Sequence, residues 1–190
     1  MELSITTLLY LFFRLSPFII ASYFSLSSVF NQDVKGLIYL AGLLISCFIA
    51  VLFGNMVGGP DGTANSVCNL ITIGNGSSFS NIPLGNVMLS YTFAYLAYVI
   101  FSYNIALYNI PTLILLPMLM IGDAGWNLMN KCFNGVGILL GLAIGCGIGV
   151  FWAYIIQSIG KPDLFFLNVG SDQSVCKRPS KQLYKCTFNK

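Results

Sequence analysis

A chain that performs chemistry in a membrane needs a proton carrier, a nucleophile or a charged clamp, and few residues here qualify. There is no histidine among the 190 residues, which removes the usual near-neutral proton carrier and the commonest metal ligand. Serine and cysteine nucleophiles need an activating base, and no Asp, Glu or Lys stands at helical spacing from one within an apolar run. Two charged positions stand out. Arg14 interrupts the apolar "FFRLSPF", and Asp123 groups with Trp126 and Lys131 in the only charged cluster ahead of the carboxy-terminal tail. A helix cap or a surface ion pair is the expected role of Asp123. The run "GNGSSFSN" has glycines but no following lysine and no preceding strand, so it is not a phosphate-cradling loop. Without histidine, two nearby cysteines cannot close an ordinary four-ligand zinc site. Neither cofactor nor metal is expected, and no nucleic-acid-binding module is visible.

The elements that must position these residues are apolar helices. Hydrophobic residues make up 56% and charged residues 8% of the chain, against roughly a quarter charged in ordinary globular domains. The fold class expected is all-α, a polytopic transmembrane bundle of about five helices over residues 4–29, 36–57, 87–103, 107–122 and 136–159. These lengths sit near the roughly 20 residues that cross a hydrocarbon core. The first lacks a basic start and a clean cleavage site, so it reads as a retained helix rather than a secretory signal. Residues 1–159 thus form the helical domain, with a long loop at 58–86, and residues 160–190 a basic tail. Lys161, Lys177, Arg178, Lys181, Lys185 and Lys190 follow the last helix, and Lys35 lies on the same side. The positive-inside rule makes that side cytoplasmic and turns the loops at 58–86 and 123–135 to a lumen or the exterior.

Arg14 within a helix costs at least about 2.5 kcal/mol to bury. The expectation is that residues 3–13 lie near the interface and let it snorkel, with Asp61 or Asp123 as partner if the helix inserts fully. Gly42, Ser46, Ala50 and Gly54 place a small residue at every fourth position of the second helix. Gly137, Gly141, Gly145, Gly149 and Ala153 do so in the fifth. Residues four apart share a face, and flat faces let backbones approach where lipid gives helices no hydrophobic drive to associate. Packing is the expected role. A pore lining is the alternative, but the fifth helix has no polar group before Gln157.

In the loop, "NGS" at Asn75 matches a glycosylation acceptor, a pattern short enough to recur by chance. Cys68 and Cys132 fall in loops on one side and are the expected disulfide in an oxidising compartment. The tail runs "SVCKR" and "LYKCTF" around a Pro-Ser-Lys-Gln turn, which reads as a small β-hairpin facing Cys176 with Cys186, free thiols in reducing cytosol. Its charge suits anionic headgroups, an address or a docking arm for another protein, and the sequence does not choose among them.

The stretch "NIPLGNVMLSYTFAYL", residues 81–96, passes from a turn into an apolar helix. Pro83 and Gly85 set the turn, and Asn86 is the expected cap. Together with "GGP" at 58–60 and the stretch from Gly125 through Lys131 to Gly135, its layout resembles the type 2 phosphatidic acid phosphatases. These polytopic enzymes release phosphate from lipids through a phosphohistidine. The resemblance covers residues 36–159 in order, spacing and side. The active groups are replaced: Gly59 stands for the arginine before proline, Leu84 and Asn86 for serine and histidine, and Gly125, Lys131 and Gly135 for the arginine, histidine and aspartate. An asparagine cannot form the phosphoenzyme, so the resemblance implies a retained fold without catalysis and carries over no catalytic residue.

A tail with "CKRPSK" in such a chain is also similar to integral membrane proteins of large DNA viruses. That implies a virion's internal membrane, with the tail and the loop 58–86 touching membrane or capsid proteins. The leading expectation is a non-enzymatic membrane structural or scaffold protein. A transporter or channel for a small or lipidic solute is the alternative, with Arg14, Ser46 and Thr92 as its only polar mid-membrane candidates. A lumenal headgroup sensor using Lys131 is a third.

Overall fold

The computed structural model describes residues 5–56, 68, 80–160, 164 and 165, with the backbone alone for residues 5–7, 9 and 10. Five helices follow one another: α1 (Ile5–Asn31), α2 (Lys35–Gly54), α3 (Leu84–Ser102), α4 (Ile110–Met129) and α5 (Gly135–Ser158), with a 3₁₀ turn at Ala106–Tyr108 before α4. All five are long and apolar enough to cross a membrane, α1 over Leu11–Asn31, and the chain is a multi-pass membrane protein. No strand occurs among the described residues. The tail hairpin expected around Cys176 and Cys186, Gly59 with its "GGP", Asp61 and Asn75 all lie outside them.

The helix α3 is the axle of the bundle. All four other helices pack on it, and its residues from Asn86 to Ile100 are largely buried. The other four turn large apolar side chains outward, among them Phe18, Ile19 and Tyr23 of α1, Leu44 and Phe48 of α2, Ile114 and Met118 of α4, and Leu139 and Phe151 of α5. Such a surface would drive association in water; here it is the surface that lipid covers.

The closest packing joins α3 to α5, and the α5 stripe explains it. A Cβ on Gly137 would lie 2.7 Å from the Asn81 carbonyl oxygen, one on Gly145 2.6 Å from that of Val87, and one on Gly149 2.6 Å from that of Tyr91. Gly141 faces Ile82 and Val87, and Ala153 is fully buried. At Gly137, Gly145 and Gly149, over about three turns of α5, backbone therefore meets backbone, which only glycine permits. The α2 stripe also faces the axle, on another side. Gly42 lies under the Tyr91 hydroxyl and the Trp152 ring, Ala50 packs with Ile82 and Val87, and Gly54 lies against Ser80, while Ser46 is fully buried. The two stripes thus seat α2 and α5 on the central helix, and Gly42 also receives the Trp152 ring of α5.

Below this seam, aromatic rings fill the core. Tyr39 packs on Phe24, Tyr91 and Tyr95, with ring centroids 4.6, 5.5 and 5.6 Å apart. Away from water, the hydroxyls of Tyr39, Tyr91 and Thr92 bond within the protein: Thr92 Oγ1 donates to the Met88 carbonyl at 2.7 Å, Tyr39 to Thr92 at 2.6 Å, and Tyr91 to the Tyr39 carbonyl at 3.0 Å. Trp152 Nε1 donates to the Ile38 carbonyl at 3.0 Å and ties α5 to α2. Beyond α5, Phe165 folds back against Tyr95 and Tyr103 and is 1% exposed.

Pro17 stands inside α1 and removes the N–H that would have bonded the Phe13 carbonyl. The Ser16 hydroxyl donates to that carbonyl at 3.0 Å, so the helix continues. Three helices end on a non-glycine residue at positive φ: Gln32 after α1, Asn104 after α3 and Lys131 after α4. In each the next N–H reaches back five residues, as Cys132 N–H does to the Asn127 carbonyl at 3.0 Å, which closes the last carbonyls.

Candidate functional site

Polar side chains converge at the end of the bundle where α3 begins and α4 ends. Three elements supply them. The start of α3 brings Pro83, Gly85 and Asn86; the last two turns of α4 bring Asp123, Trp126 and Asn127; and α1 brings Arg14, Ser16 and Pro17. Gly85 sets their common level, because a Cβ there would lie 3.3 Å from Pro17 Cγ and 3.7 Å from Asp123 Oδ2. Gly122, one residue before Asp123, lies against the Phe13 ring, which locks α1 to α4 at this height. Asp123 lies six residues before the end of α4, about 9 Å inside it at a 1.5 Å rise per residue.

Asp123 is not the surface group its neighbours in sequence suggest. It is 4% exposed and sits on a helical turn, because α4 runs on to Met129 instead of stopping at 122. Asn127, one turn later, donates its amide to the Asp123 carbonyl oxygen at 2.9 Å and also engages its carboxylate. The expected helix ends at 122; Gly122 and Gly125 are poor helix formers, and burial of Asp123 and Asn127 outweighs that propensity. Arg14 lies near enough for its charge to act on the carboxylate and is half-buried. Asp123 is thus an acid that the described residues bring within range of Arg14, and Asp61, the other expected partner, lies outside them. A carboxylate beside the first turn of α3 also faces the positive end of that helix, where a negative charge is stabilised.

Asn86 differs from its expected role too. The N-cap position of α3 belongs to Pro83, which has no side chain to accept a hydrogen bond, and Asn86 lies inside the first turn with its backbone N–H on the Pro83 carbonyl at 3.1 Å. Its side chain is fully buried. The capping asparagine is instead Asn134, whose Oδ1 accepts from the Val136 N–H at 3.4 Å at the start of α5.

Lys131 and Gly135 flank the same end, in the connection from α4 to α5. Lys131 is the left-handed residue that terminates α4, and Gly135 opens α5 with Leu128 Cδ2 as its nearest side-chain atom. Gly125 has open space where a side chain would go. Cys132, next to Lys131, is joined by a disulfide to Cys68, which pins the long loop to this end of the bundle. Cys68 Sγ also lies 3.6 Å from the Asn130 carbonyl oxygen.

Thr92 and Ser46 do not join the cluster. Thr92 belongs to the aromatic core two turns deeper along α3, bonded to Tyr39 and Met88, and Ser46 lies on α2 facing the axle. Sequence spacing missed the approach of Asp123 to Gly85 at the start of α3, because they are 38 positions apart on different helices. The signal that does point to Asp123 is a lone acid in an apolar run that ends "NLMN", with Asn127 at helical spacing. No family model matches the chain, and no curated protein or solved structure matches it.

Proposed function

We infer that the chain is a non-enzymatic structural or scaffold component of a membrane, a rigid five-helix body whose loop 58–86 and basic tail engage other membrane or capsid proteins. The observation that carries this reading is the enclosure of α3. Backbone-to-backbone contact with α5 and a hydrogen-bonded aromatic core against α2 leave the central helix locked, an arrangement suited to holding shape. The layout resembling lipid phosphatases supports a retained architecture in which Asn86 occupies the nucleophile's position. A virion's internal membrane is the setting that this layout and the tail suggest, with the tail on the cytoplasmic side.

Photo-crosslinking residues placed at positions in 58–86 and in 176–190, in the native membrane, test this directly. Reproducible capture of the same partner proteins is the expected result. Release of phosphate from lipid phosphates by the purified protein, lost on Asn86→Ala, would overturn the reading.

One observation favours a second reading, passage of a small solute. Arg14 of α1 and Asp123 of α4 both lie inside helical spans, near enough for the arginine's charge to act on the carboxylate, and charged groups there mark pathways as well as structural pairs. Solute flux in liposomes that disappears on both Arg14→Gln and Asp123→Asn would establish it over the scaffold reading.

A further inference from the structure

The connection from α3 to α4 differs in chemistry from its described neighbours. Asp33 and Lys35 lie in or beside the α1–α2 connection and Lys131 in the α4–α5 connection, whereas "YNIALYN", residues 103–109, carries no charge. Two large side chains at its tip stand clear of the protein: Leu107 is 82% and Tyr108 81% exposed. The turn that carries them is not loose. Tyr103, Ile105 and Ala106 pack on the aromatic core and seat the 3₁₀ turn Ala106–Tyr108 against it. A seated turn that holds a leucine and a tyrosine away from its own core presents apolar surface for something else to cover.

Three features of the turn identify lipid as that cover. Its backbone is bonded from within: Ile105 N–H donates to the Ile100 carbonyl at 3.0 Å, Tyr108 N–H to that of Ile105 at 3.3 Å and Asn109 N–H to that of Ala106 at 3.1 Å, while Asn109 Nδ2 donates to the Ile105 carbonyl at 3.0 Å. Backbone satisfied in this way can leave water. The patch also runs on into the lipid-covered wall of the bundle, through exposed Phe101 at the end of α3 and Ile110 and Ile114 of α4. Helix length sets its level. With 19 and 20 residues, α3 and α4 are about 28 and 30 Å long, no more than the hydrocarbon thickness of about 30 Å, and any tilt shortens their reach. Their connection therefore stays at the edge of the hydrocarbon. Exposed Asn104 and the Tyr108 hydroxyl give it the polar margin that suits the headgroup boundary.

We propose that the α3–α4 connection is an interfacial lipid anchor: Leu107 enters the acyl chains, and Tyr108 lies at the glycerol and headgroup level of the leaflet on the tail's side of the membrane. The anchor sits at the end of α3, the helix on which the other four pack, so it fixes the depth of the whole bundle through its axle. It goes beyond the scaffold reading and does not depend on it, since a transporter would be held at the same depth.

Solid-state NMR on the full-length, isotope-labelled protein in phosphatidylcholine bilayers tests the anchor, with magnetisation selected either from lipid acyl protons or from water. Lipid magnetisation is expected to reach Leu107 and the Tyr108 ring as fast as it reaches Phe101. Gln32, exposed in the α1–α2 connection at the same end of the bundle, is expected to be fed several-fold faster from water than from lipid. Transfer from water to Leu107 and Tyr108 at the rate of Gln32, with little from lipid, would overturn the proposal. Slow build-up from both sources, the mark of a covering protein, would overturn it as well. Leu107→Asp is expected to cut the lipid transfer to Tyr108 several-fold and leave Phe101 as it was; an unchanged Tyr108 counts against the anchor. Should Leu107→Asp not fold, Tyr108→Ser read at Leu107 takes its place with the same two outcomes.

Discussion

Substitution of Gly145 by alanine puts one methyl group between α3 and α5. Its Cβ would fall on Ser90 Oγ, 2.6 Å from the Val87 carbonyl oxygen and 3.0 Å from the Tyr91 nitrogen. The serine can rotate away, but the two backbone atoms cannot, so the helices must separate along the shared seam. Overpacking of this kind costs about 1–3 kcal/mol. Alanine returns about 1 kcal/mol of helix propensity over glycine; because the two clashing atoms are backbone, the cost lies at the upper end of that range and the net loss is about 2 kcal/mol. Gly147, two residues on, is the control: a Cβ there meets nothing within 4 Å, so Gly147→Ala keeps the propensity gain and is expected to stabilise by up to about 1 kcal/mol. The assay is reversible unfolding in mixed micelles under a denaturing detergent, followed by helicity and by Trp152 fluorescence, since Trp152 reports on the α5–α2 contact. Opposite signs for the two variants are expected. If Gly145→Ala matches or exceeds the parent in stability, the backbone-to-backbone seam is not what holds α5.

Three further outcomes follow from other contacts. Cys132→Ser removes a link spanning 64 positions, and a loss of about 2–4 kcal/mol is expected; reductant should reproduce it in the parent and leave the variant unchanged. Tyr39→Phe deletes the hydroxyl that donates to Thr92, and since hydrogen bonds between membrane helices average about 0.6 kcal/mol, a loss of about 0.5–1 kcal/mol should appear in the same unfolding assay. Phe165→Ala empties a site between Tyr95 and Tyr103, and faster chymotryptic cleavage after Phe166 with α1–α5 still intact is the expected readout.

Helix number was legible because apolar length alone decides it, and the expected ranges meet the observed helices to within about three residues at most ends. The exception is the end of α4. There "GDAG" reads locally as a break, whereas tertiary burial of Asp123 and Asn127 carries the helix seven residues further. The same carry-over moves Asp123 from a loop into the bundle, which is why the polar cluster at the start of α3 was not visible along the chain. Small-residue stripes were legible as packing faces, but their partners were not: periodicity reports which face is flat, and nothing in it says which helix will lie there. Asn86 was misread as a cap for a similar reason. Cap preference is local, while its position inside the first turn is fixed by Pro83, whose own φ of −69° leads directly into Leu84.

The disulfide has a consequence for how the molecule is made. Between Cys68 and Cys132 the ribosome must synthesise two complete spans, α3 and α4, and their thiols meet only if the chain has crossed the bilayer an even number of times in between. An intermediate in which one of those spans has stalled keeps the two sulfurs on opposite faces of the membrane. Closure of the bond thus excludes insertion of one of these two spans without the other, and a gel shift between reduced and oxidised nascent chains would read that out during biosynthesis.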